Sequence, residues 1–550
     1  MSPTQVCGGE RGWSEVPETT KWQVRWQSAQ RSARAAAQAA GRAVRTSARA
    51  AGTSARAAAA AVRQAWQATP RHTRQTWRLT AVSAATGLAV AYVAVAAAGP
   101  WDSGQRTAER ADAAVMDGAS GEHHAEEPGP APSAPAVLPA LGGPTHGAAG
   151  RGAAPLPTDA GLADALSPLL ADPALGPLRT ASVVDVAGGR EVFGAGQNKA
   201  ATPASTVKLA TAVAALSVLG PDHRIETGVV LSGKDRLVLV GGGDPTLTAR
   251  APRHGAEEQP ANLRTLADAT ARALKQRHLT KVALGYDTGA YSGPVEHPIG
   301  PNENIAPVTA LMTDEARLDD SEHGPAPRDT DPAHAAARTF ADLLHQRGIT
   351  VDGDPAYAKA PRKSARIAAV HSLPLSALVE RMLTYSDNDI AEALARQTAL
   401  GSRRPASFAG AGAAVRTALA RQHLPLSGAV FEDGSGLNRD DKVTAALLSH
   451  LLLQAAAPDH PALRPVVTGL PVAAFTGTLS NRYRGQSAGA GAVRAKTGTL
   501  TGVNTLAGSV VDADGRLLVF SFMTTGTTDP QGAQNALDKL ASAVANCGCR

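Results

Sequence analysis

Cysteine is nearly missing from this chain of 550 residues. Cys7, Cys547 and Cys549 are its three cysteines, and residues 8–546 contain none. A disulfide framework is therefore excluded for the main body of the chain, and two cysteines near the end do not make a zinc site. Cys547 and Cys549 are also too close in sequence for an ordinary bridge. Their role stays open.

Aromatic residues are also scarce, at 3% of the chain, so a core must be built mainly from Leu, Val and Ala. Acidic residues are few at one end: residues 1–78 contain 13 basic and 3 acidic side chains, whereas the remainder carries a net charge of −4. The positive charge thus belongs to an N-terminal arm and predicts no nucleic-acid binding by the main domain. The length allows two to four domains.

The arm and the segment after it predict a membrane protein. Residues 1–78 form either a basic helix on the cytoplasmic lipid surface or a disordered tail. Residues 79–99 contain 21 uncharged residues, and as a helix they would span about 31 Å, close to the bilayer core. The basic flank predicts a cytoplasmic N-terminus and an extracellular catalytic domain. Cleavage after Ala96-Ala97-Ala98 is the alternative, but the leader is long for a signal peptide.

Residues 100–158 are rich in Pro, Gly and Ala and are predicted to be an extended linker. The cluster of His123, His124, Glu126 and Glu127 lies in this linker, so we interpret it as solvated rather than as a metal site. We predict neither a metal nor another cofactor.

Beyond residue 159 the periodicity indicates both strands and helices. A glycine turn at 187–190 joins two predicted strands, and three more are expected at 491–496, 506–511 and 517–524, with helices between and after them. This order predicts an α/β (α+β) fold in which a helical layer covers an antiparallel sheet. Gly228–Lys234 matches part of a P-loop, but Asp235 stands where magnesium needs Ser or Thr. A hairpin turn explains the glycine better than nucleotide binding does.

Three short motifs stand out in this region. Ser205 and Lys208 lie three residues apart at the start of an Ala/Leu-rich helical run, so they share one helix face. Ser386-Asp387-Asn388 falls at a predicted break between helices, and Lys496-Thr497-Gly498 opens a predicted strand. The interval between the first two motifs is longer than one helix and one crossing need. It predicts a subdomain, 232–365, inserted into a catalytic domain made of 159–231 and 366–550.

The motif residues fit the needs of acyl transfer. Ser205 would be the nucleophile, and Lys208, held neutral by partial burial and a nearby cation, would be its base. Lys496 would be that cation. Ser386 would relay a proton to the leaving amine, and Asn388 would hydrogen-bond both Lys208 and the substrate amide.

The strand motif suits the substrate end. Lys496 and Thr497 can bind a terminal carboxylate, and Gly498 lets a substrate strand approach closely. The backbone N–H groups of Ser205 and Thr499 are the expected oxyanion donors.

The trio is typical of penicillin-binding proteins and serine β-lactamases. Further segments extend the likeness over about residues 160–545: Gly242-Gly243-Asp244-Pro245, Asp433-Gly434-Ser435-Gly436-Leu437 and Gly477-Thr478-Leu479. The chain resembles the low-molecular-mass class C penicillin-binding proteins, which are D-alanyl-D-alanine carboxypeptidases and endopeptidases. The resemblance implies the transpeptidase fold, peptidoglycan stem peptides ending in D-Ala-D-Ala as substrate, and acylation of Ser205 by β-lactam antibiotics.

Two other hypotheses remain. A serine β-lactamase would share the motifs, but a fast deacylating base is not evident. A non-catalytic cell-wall binding protein would not need all three motifs intact. The balance of carboxypeptidase and endopeptidase activity and the oligomeric state stay open.

Overall fold

The computed structural model describes residues 154–251, 259–483 and 487–547. They belong to one of the two units into which the chain divides, Pro135–Arg550. The predicted basic arm, the predicted membrane span at 79–99 and nearly all of the linker lie outside the described residues. Among the described residues, no helix combines the length and the apolar character that a bilayer crossing requires.

The described residues contain ten α-helices and ten strands. The helices are α1 (Asp159–Leu170), α2 (Lys208–Leu219), α3 (Leu263–Lys275), α4 (Pro332–His345), α5 (Leu375–Tyr385), α6 (Asn388–Gly401), α7 (Phe408–Arg421), α8 (Ala445–Ala456), α9 (Arg464–Thr468) and α10 (Pro530–Asn546). The strands are β1 (Leu178–Asp185), β2 (Glu191–Ala195), β3 (Glu226–Ser232), β4 (Arg236–Val240), β5 (Lys281–Asp287), β6 (Thr350–Tyr357), β7 (Ala365–His371), β8 (Arg494–Leu500), β9 (Val503–Val511) and β10 (Leu517–Thr525).

The first sheet is antiparallel, with the strand order β2-β1-β10-β9-β8. Its two faces bury different residues of β10: Val519 and Met523 pack with α2 and α8, whereas Phe520 and Phe522 pack with α1 and α10. This alternation follows from the two-residue period of a strand. Because both faces are covered, β10 reads as an almost continuous apolar run. The predicted antiparallel sheet with helical cover is therefore present.

Helix α2 is the centre of the helical layer. Its residues from Lys208 to Leu216 are all buried, and small alanines let α6 and α7 pack closely against it. A helix that is apolar on every side belongs inside a protein. Lys208 is the cationic exception, and a buried lysine needs a reason.

The second sheet has the order β6-β5-β4-β3-β7 and lies within residues 226–371, with α3 and α4 packed on it. It forms between the first and second motifs, where the chain length predicted an insertion. Both β3 and β7, which flank the predicted boundaries at 232 and 365, are strands of this sheet. Gly233 and Lys234 form the turn between β3 and β4, as a hairpin requires. The exact division into domains remains a prediction.

Candidate active site

Ser205 and Lys208 lie on the tight turn that leads into α2. Ala204–Val207 form a 3-10 turn, and Ala204 has a φ of 48°, a value that costs energy for a residue with a side chain. The turn continues directly into the α-helix, so the Lys208 side chain lies beside Ser205. Its Nζ lies 3.0 Å from Ser205 Oγ. The predicted serine–lysine pair is thus in hydrogen-bond contact.

Among the residues that the structure describes, the Lys208 amine has three hydrogen-bond partners. Besides Ser205 Oγ, it lies 2.6 Å from Asn388 Oδ1 and 2.6 Å from the carbonyl oxygen of Ser435. Both of these oxygens can only accept. A neutral amine has two N–H bonds and one lone pair, so two donated bonds leave the lone pair for the serine O–H. The contacts fit a neutral amine that accepts from Ser205, and they equally fit an ammonium that donates all three bonds.

Electrostatics shift the amine toward the neutral form. Burial lowers the pKa of Lys208 from its usual range to about 8, although the charges of Asp433 and Glu392 oppose this shift. The sequence predicted that partial burial and the Lys496 cation would together lower this pKa. Burial is the main cause. Lys496 itself has a pKa well below its usual range because it is buried and faces Lys208. Two adjacent buried amines disfavour each other's charge.

Ser386 occupies the break between α5 and α6 that the sequence predicted. It has a left-handed backbone, with a φ of 59°, and its N–H closes α5 on the Met382 carbonyl. Asp387 then caps α6 by accepting from the N–H of Ile390 at 3.0 Å. The sharp turn brings Ser386 Oγ to 2.8 Å from Lys496 Nζ.

Strand β8 supplies the third motif at the edge of the first sheet. Thr497 Oγ1 contacts Thr478 Oγ1 at 2.9 Å, which links β8 to the Gly477-Thr478-Leu479 segment. Gly498 lies against the nucleophile turn: a Cβ there would be 2.7 Å from the Pro203 carbonyl and 3.1 Å from Ser205 N. This glycine is required by close packing.

The three motifs meet at one cleft with a volume of about 220 Å³. From the motifs and the residue after the third motif, it is lined by Ser205, Ser386, Asp387, Asn388 and Thr499. The other lining residues are Asn304, Arg317, Gly324, Pro325, Arg328, Tyr385, Asp389 and Leu437. The sequence did not point to the members between 304 and 328, because they form no motif and are far from the other motifs in the chain. Asn304 nevertheless contacts the site directly, since its carbonyl accepts from Asn388 Nδ2 at 2.9 Å.

Buried ion pairs fasten the 304–328 segment to the Ser-Asp-Asn turn. Arg328 pairs with Asp389 at 2.9 Å, and both side chains are almost completely buried. Arg317 pairs with Glu315 at 2.9 Å, and Arg381 of α5 pairs with the same carboxylate. Buried pairs of this kind are costly to break, because one charge is then left without a partner.

Within the described part of the chain, two groups of three side chains bring donor atoms close enough to share a cation: His297, Glu392 and Asp433, and Glu315, Asp387 and Asp389. In the first group, backbone N–H groups already point at carboxylate oxygens of Glu392 and Asp433. The second group is paired with arginines. The carboxylates of the first group accept backbone N–H bonds, and those of the second group pair with arginines. We therefore assign these carboxylates to hydrogen bonding and ion pairing rather than to a metal.

Comparison with known proteins matches this architecture to one family. The model of the D-Ala-D-Ala carboxypeptidase 3 (S13) family matches residues 162–324 and 319–546. A carboxypeptidase of Mycobacterium tuberculosis is 37% identical over 412 residues, 72% of this chain and 85% of that protein. Carboxypeptidase DacB of Mycolicibacterium smegmatis is 39% identical over 409 residues, 72% and 86% of the two chains. A D-alanyl-D-alanine carboxypeptidase of Actinomadura is 30% identical over 458 residues, 67% and 82%.

Solved structures show the same fold. Penicillin-binding protein 4 of Haemophilus influenzae superposes with a TM-score of 0.56 at 23% identity, covering 70% of this chain and 98% of that one. A second structure of that protein, in complex with a β-lactam, superposes with a TM-score of 0.55 at 22% identity over 69% and 97% of the two chains. The expected mixed fold of antiparallel sheet and helices is confirmed.

Proposed function

We propose residue roles for this chain from the premise that it belongs to the D-Ala-D-Ala carboxypeptidase 3 (S13) family and is a D-Ala-D-Ala carboxypeptidase. Ser205 attacks the carbonyl of the penultimate D-alanine, and Lys208 takes the hydroxyl proton. The observation that carries the assignment is the Lys208 amine, which contacts Ser205 Oγ at 3.0 Å while two acceptors hold its N–H bonds. A serine beside a neutral amine is an activated nucleophile.

The proton then passes to the leaving group. As the peptide C–N bond breaks, the nitrogen of the departing D-alanine needs a proton, and Ser386 is the hydroxyl that bridges toward Lys496. The carbonyl carbon becomes an ester on Ser205. Water hydrolyses this ester in the second half of the reaction, with Lys208 again accepting a proton. The products are the shortened stem peptide and free D-alanine.

Strand β8 binds the end of the substrate. The terminal carboxylate pairs with Lys496 and Thr497, and its negative charge favours the ammonium form of Lys496. An ammonium there also disfavours a charge on Lys208, so substrate binding supports the neutral base. The peptide lies along Gly498 and Thr499. The backbone N–H groups of Thr499 and Ser205 stabilise the oxyanion.

The test measures D-alanine release from a pentapeptide that ends in D-Ala-D-Ala. We expect wild type to release D-alanine and Ser205→Ala to release none. Lys208→Ala and Lys496→Ala abolish covalent labelling by a fluorescent penicillin, whereas the control Lys281→Ala, at an exposed ion pair, is labelled normally. Undiminished labelling of Lys208→Ala would exclude its role as base.

β-Lactams acylate the same serine in this proposal, supported by the β-lactam complex of the Haemophilus protein. Rapid turnover of nitrocefin by the purified protein would favour the β-lactamase alternative instead.

We further propose that residues 79–99 anchor the enzyme in the membrane with the catalytic domain outside. The support is the uncharged stretch and its basic flank. Mass spectrometry of the mature N-terminus decides: a start near residue 99 means cleavage, and an intact N-terminus in the membrane fraction means an anchor.

A further inference from the structure

Beneath the Lys208 amine lies a buried cluster of acidic side chains that the three motifs do not include. Ser435, whose carbonyl accepts a Lys208 N–H at 2.6 Å, belongs to the loop 433–438. Asp433 holds this loop by accepting the N–H of Ser435 at 3.0 Å, of Gly436 at 2.5 Å and of Asn438 at 2.7 Å. One carboxylate thus fixes the backbone that orients the base.

The loop has no room to shift. A Cβ on Gly434 would lie 2.6 Å from Ala395 Cβ in α6, and a Cβ on Gly436 would overlap the carbonyl of Ala204 in the nucleophile turn. Glu392 Oε1 accepts the N–H groups of Gly434 and Ser435 at 3.0 and 2.9 Å. A displacement of Asp433 is therefore transmitted to the Ser435 carbonyl and to the lysine.

His297 joins this network from a distant part of the chain. It lies between β5 and α4, 136 residues from Asp433 in sequence, and its Nε2 is 3.1 Å from Asp433 Oδ2. Its Nδ1 accepts the N–H of Ile299 at 3.3 Å, so the proton of the neutral ring is on Nε2 and is donated to Asp433. The ring packs edge-on against Phe408, with the centroids 5.2 Å apart. The histidine is almost fully buried.

We propose that His297 is a positioning residue of the lysine base, which it orients through Asp433 and the Ser435 carbonyl. The inference rests on the proposed role of Lys208. This inference implies that the segment between β5 and α4 contributes to catalysis, although none of its residues belongs to a catalytic motif.

A second consequence concerns the charge on Lys208. The titratable groups that face its amine are Asp433 and Asp441 of the loop region, Asp387 and Glu392 of α6 and its cap, and Lys496 of β8. Besides Asp433, His297 faces Glu392. The His297 N–H partly offsets the charge of Asp433. Without it, that charge acts more strongly on Lys208, raises its pKa and keeps it protonated to a higher pH.

The test uses full-length protein and the rate of acylation by a fluorescent penicillin as a function of pH. We compare wild type, His297→Ala, His297→Gln and the control His450→Ala, which removes a half-buried histidine of α8. His297→Ala should lower the acylation rate constant about tenfold or more, with a small change in the apparent binding constant, and should move the acidic limb to higher pH. His297→Gln places an amide N–H near the position of Nε2 and should restore most of the rate.

Each outcome distinguishes the hypotheses. Wild-type rate and pH limb in His297→Ala would overturn the inference, as would a Gln variant that folds but is as slow as Ala. If His297→Ala does not fold, the Gln variant decides alone: a near-normal rate supports the role, and a large loss refutes it. If wild type itself forms no adduct at Ser205, the proposed function fails rather than this inference.

Discussion

Gly498 offers a sharp test of the contact between β8 and the nucleophile turn. The substitution Gly498→Ala adds one methyl group at the point where β8 faces Pro203 and Ser205. The new Cβ would lie 2.7 Å from the Pro203 carbonyl and 3.1 Å from Ser205 N, and it would overlap Thr505 Oγ1. The first two contacts are with backbone atoms, so rotation of a side chain cannot relieve them.

The magnitude follows from what must move. Relief requires the strand and the turn to separate by several tenths of an ångström, and overpacking of this kind costs about 1–3 kcal/mol. The catalytic cost is larger, because a misplacement of about 1 Å between reacting groups can reduce the rate about a hundredfold. We therefore expect the acylation rate of Gly498→Ala to fall between about tenfold and a hundredfold, with a modest loss of folding free energy.

The assay is penicillin acylation together with urea unfolding. Gly228→Ala is the matched control, because Gly228 also lies in a strand, β3, and a Cβ there would meet its nearest atom at 3.4 Å, an ordinary contact. That variant should keep its acylation rate. If Gly498→Ala is acylated as fast as wild type, strand β8 does not fix the position of Ser205, and the packing argument is wrong.

Two further predictions concern charge. Because burial lowers the pKa of Lys208 to about 8 and the base acts when neutral, kcat/KM for peptide should rise with pH up to about that value; a profile that is flat from about pH 6 to pH 9 would contradict it. Arg328→Ala leaves Asp389 buried without its ion-pair partner, so urea unfolding should show a loss of about 3–5 kcal/mol. Arg366→Ala, at a largely exposed pair with Glu226, should cost less than about 1 kcal/mol. Equal losses in the two variants would refute the stabilising role of the buried Arg328–Asp389 pair.

The sequence was informative wherever a short local pattern carries the chemistry. The Ser205–Lys208 spacing predicted a contact within one turn, and the structure has it at 3.0 Å. The break at Ser386 was predicted from the interruption of helical periodicity. Its left-handed backbone was not, because serine has no preference for that conformation and tertiary contacts impose it.

Contacts made by residues outside the three motifs were beyond reach of the sequence. Nothing near His297 or Asn304 marks either residue as part of the site, since each acts through one hydrogen bond to a partner more than 80 residues away. The relative weight of two effects on the base was also beyond the sequence. Burial and the Lys496 cation were both predicted to lower the pKa of Lys208, and burial, which depends on the whole fold, is the main cause.

Asn388 connects the motifs to the 304–328 segment. Its Oδ1 accepts from Lys208 at 2.6 Å while its Nδ2 donates to the Asn304 carbonyl at 2.9 Å, so one planar amide joins the base to that segment. Aspartate has nearly the same shape, but it has no N–H for Asn304 and adds a negative charge that would raise the pKa of Lys208. The amide alone meets both needs. The position of the base therefore depends on the 304–328 segment as well as on the helix that carries the lysine.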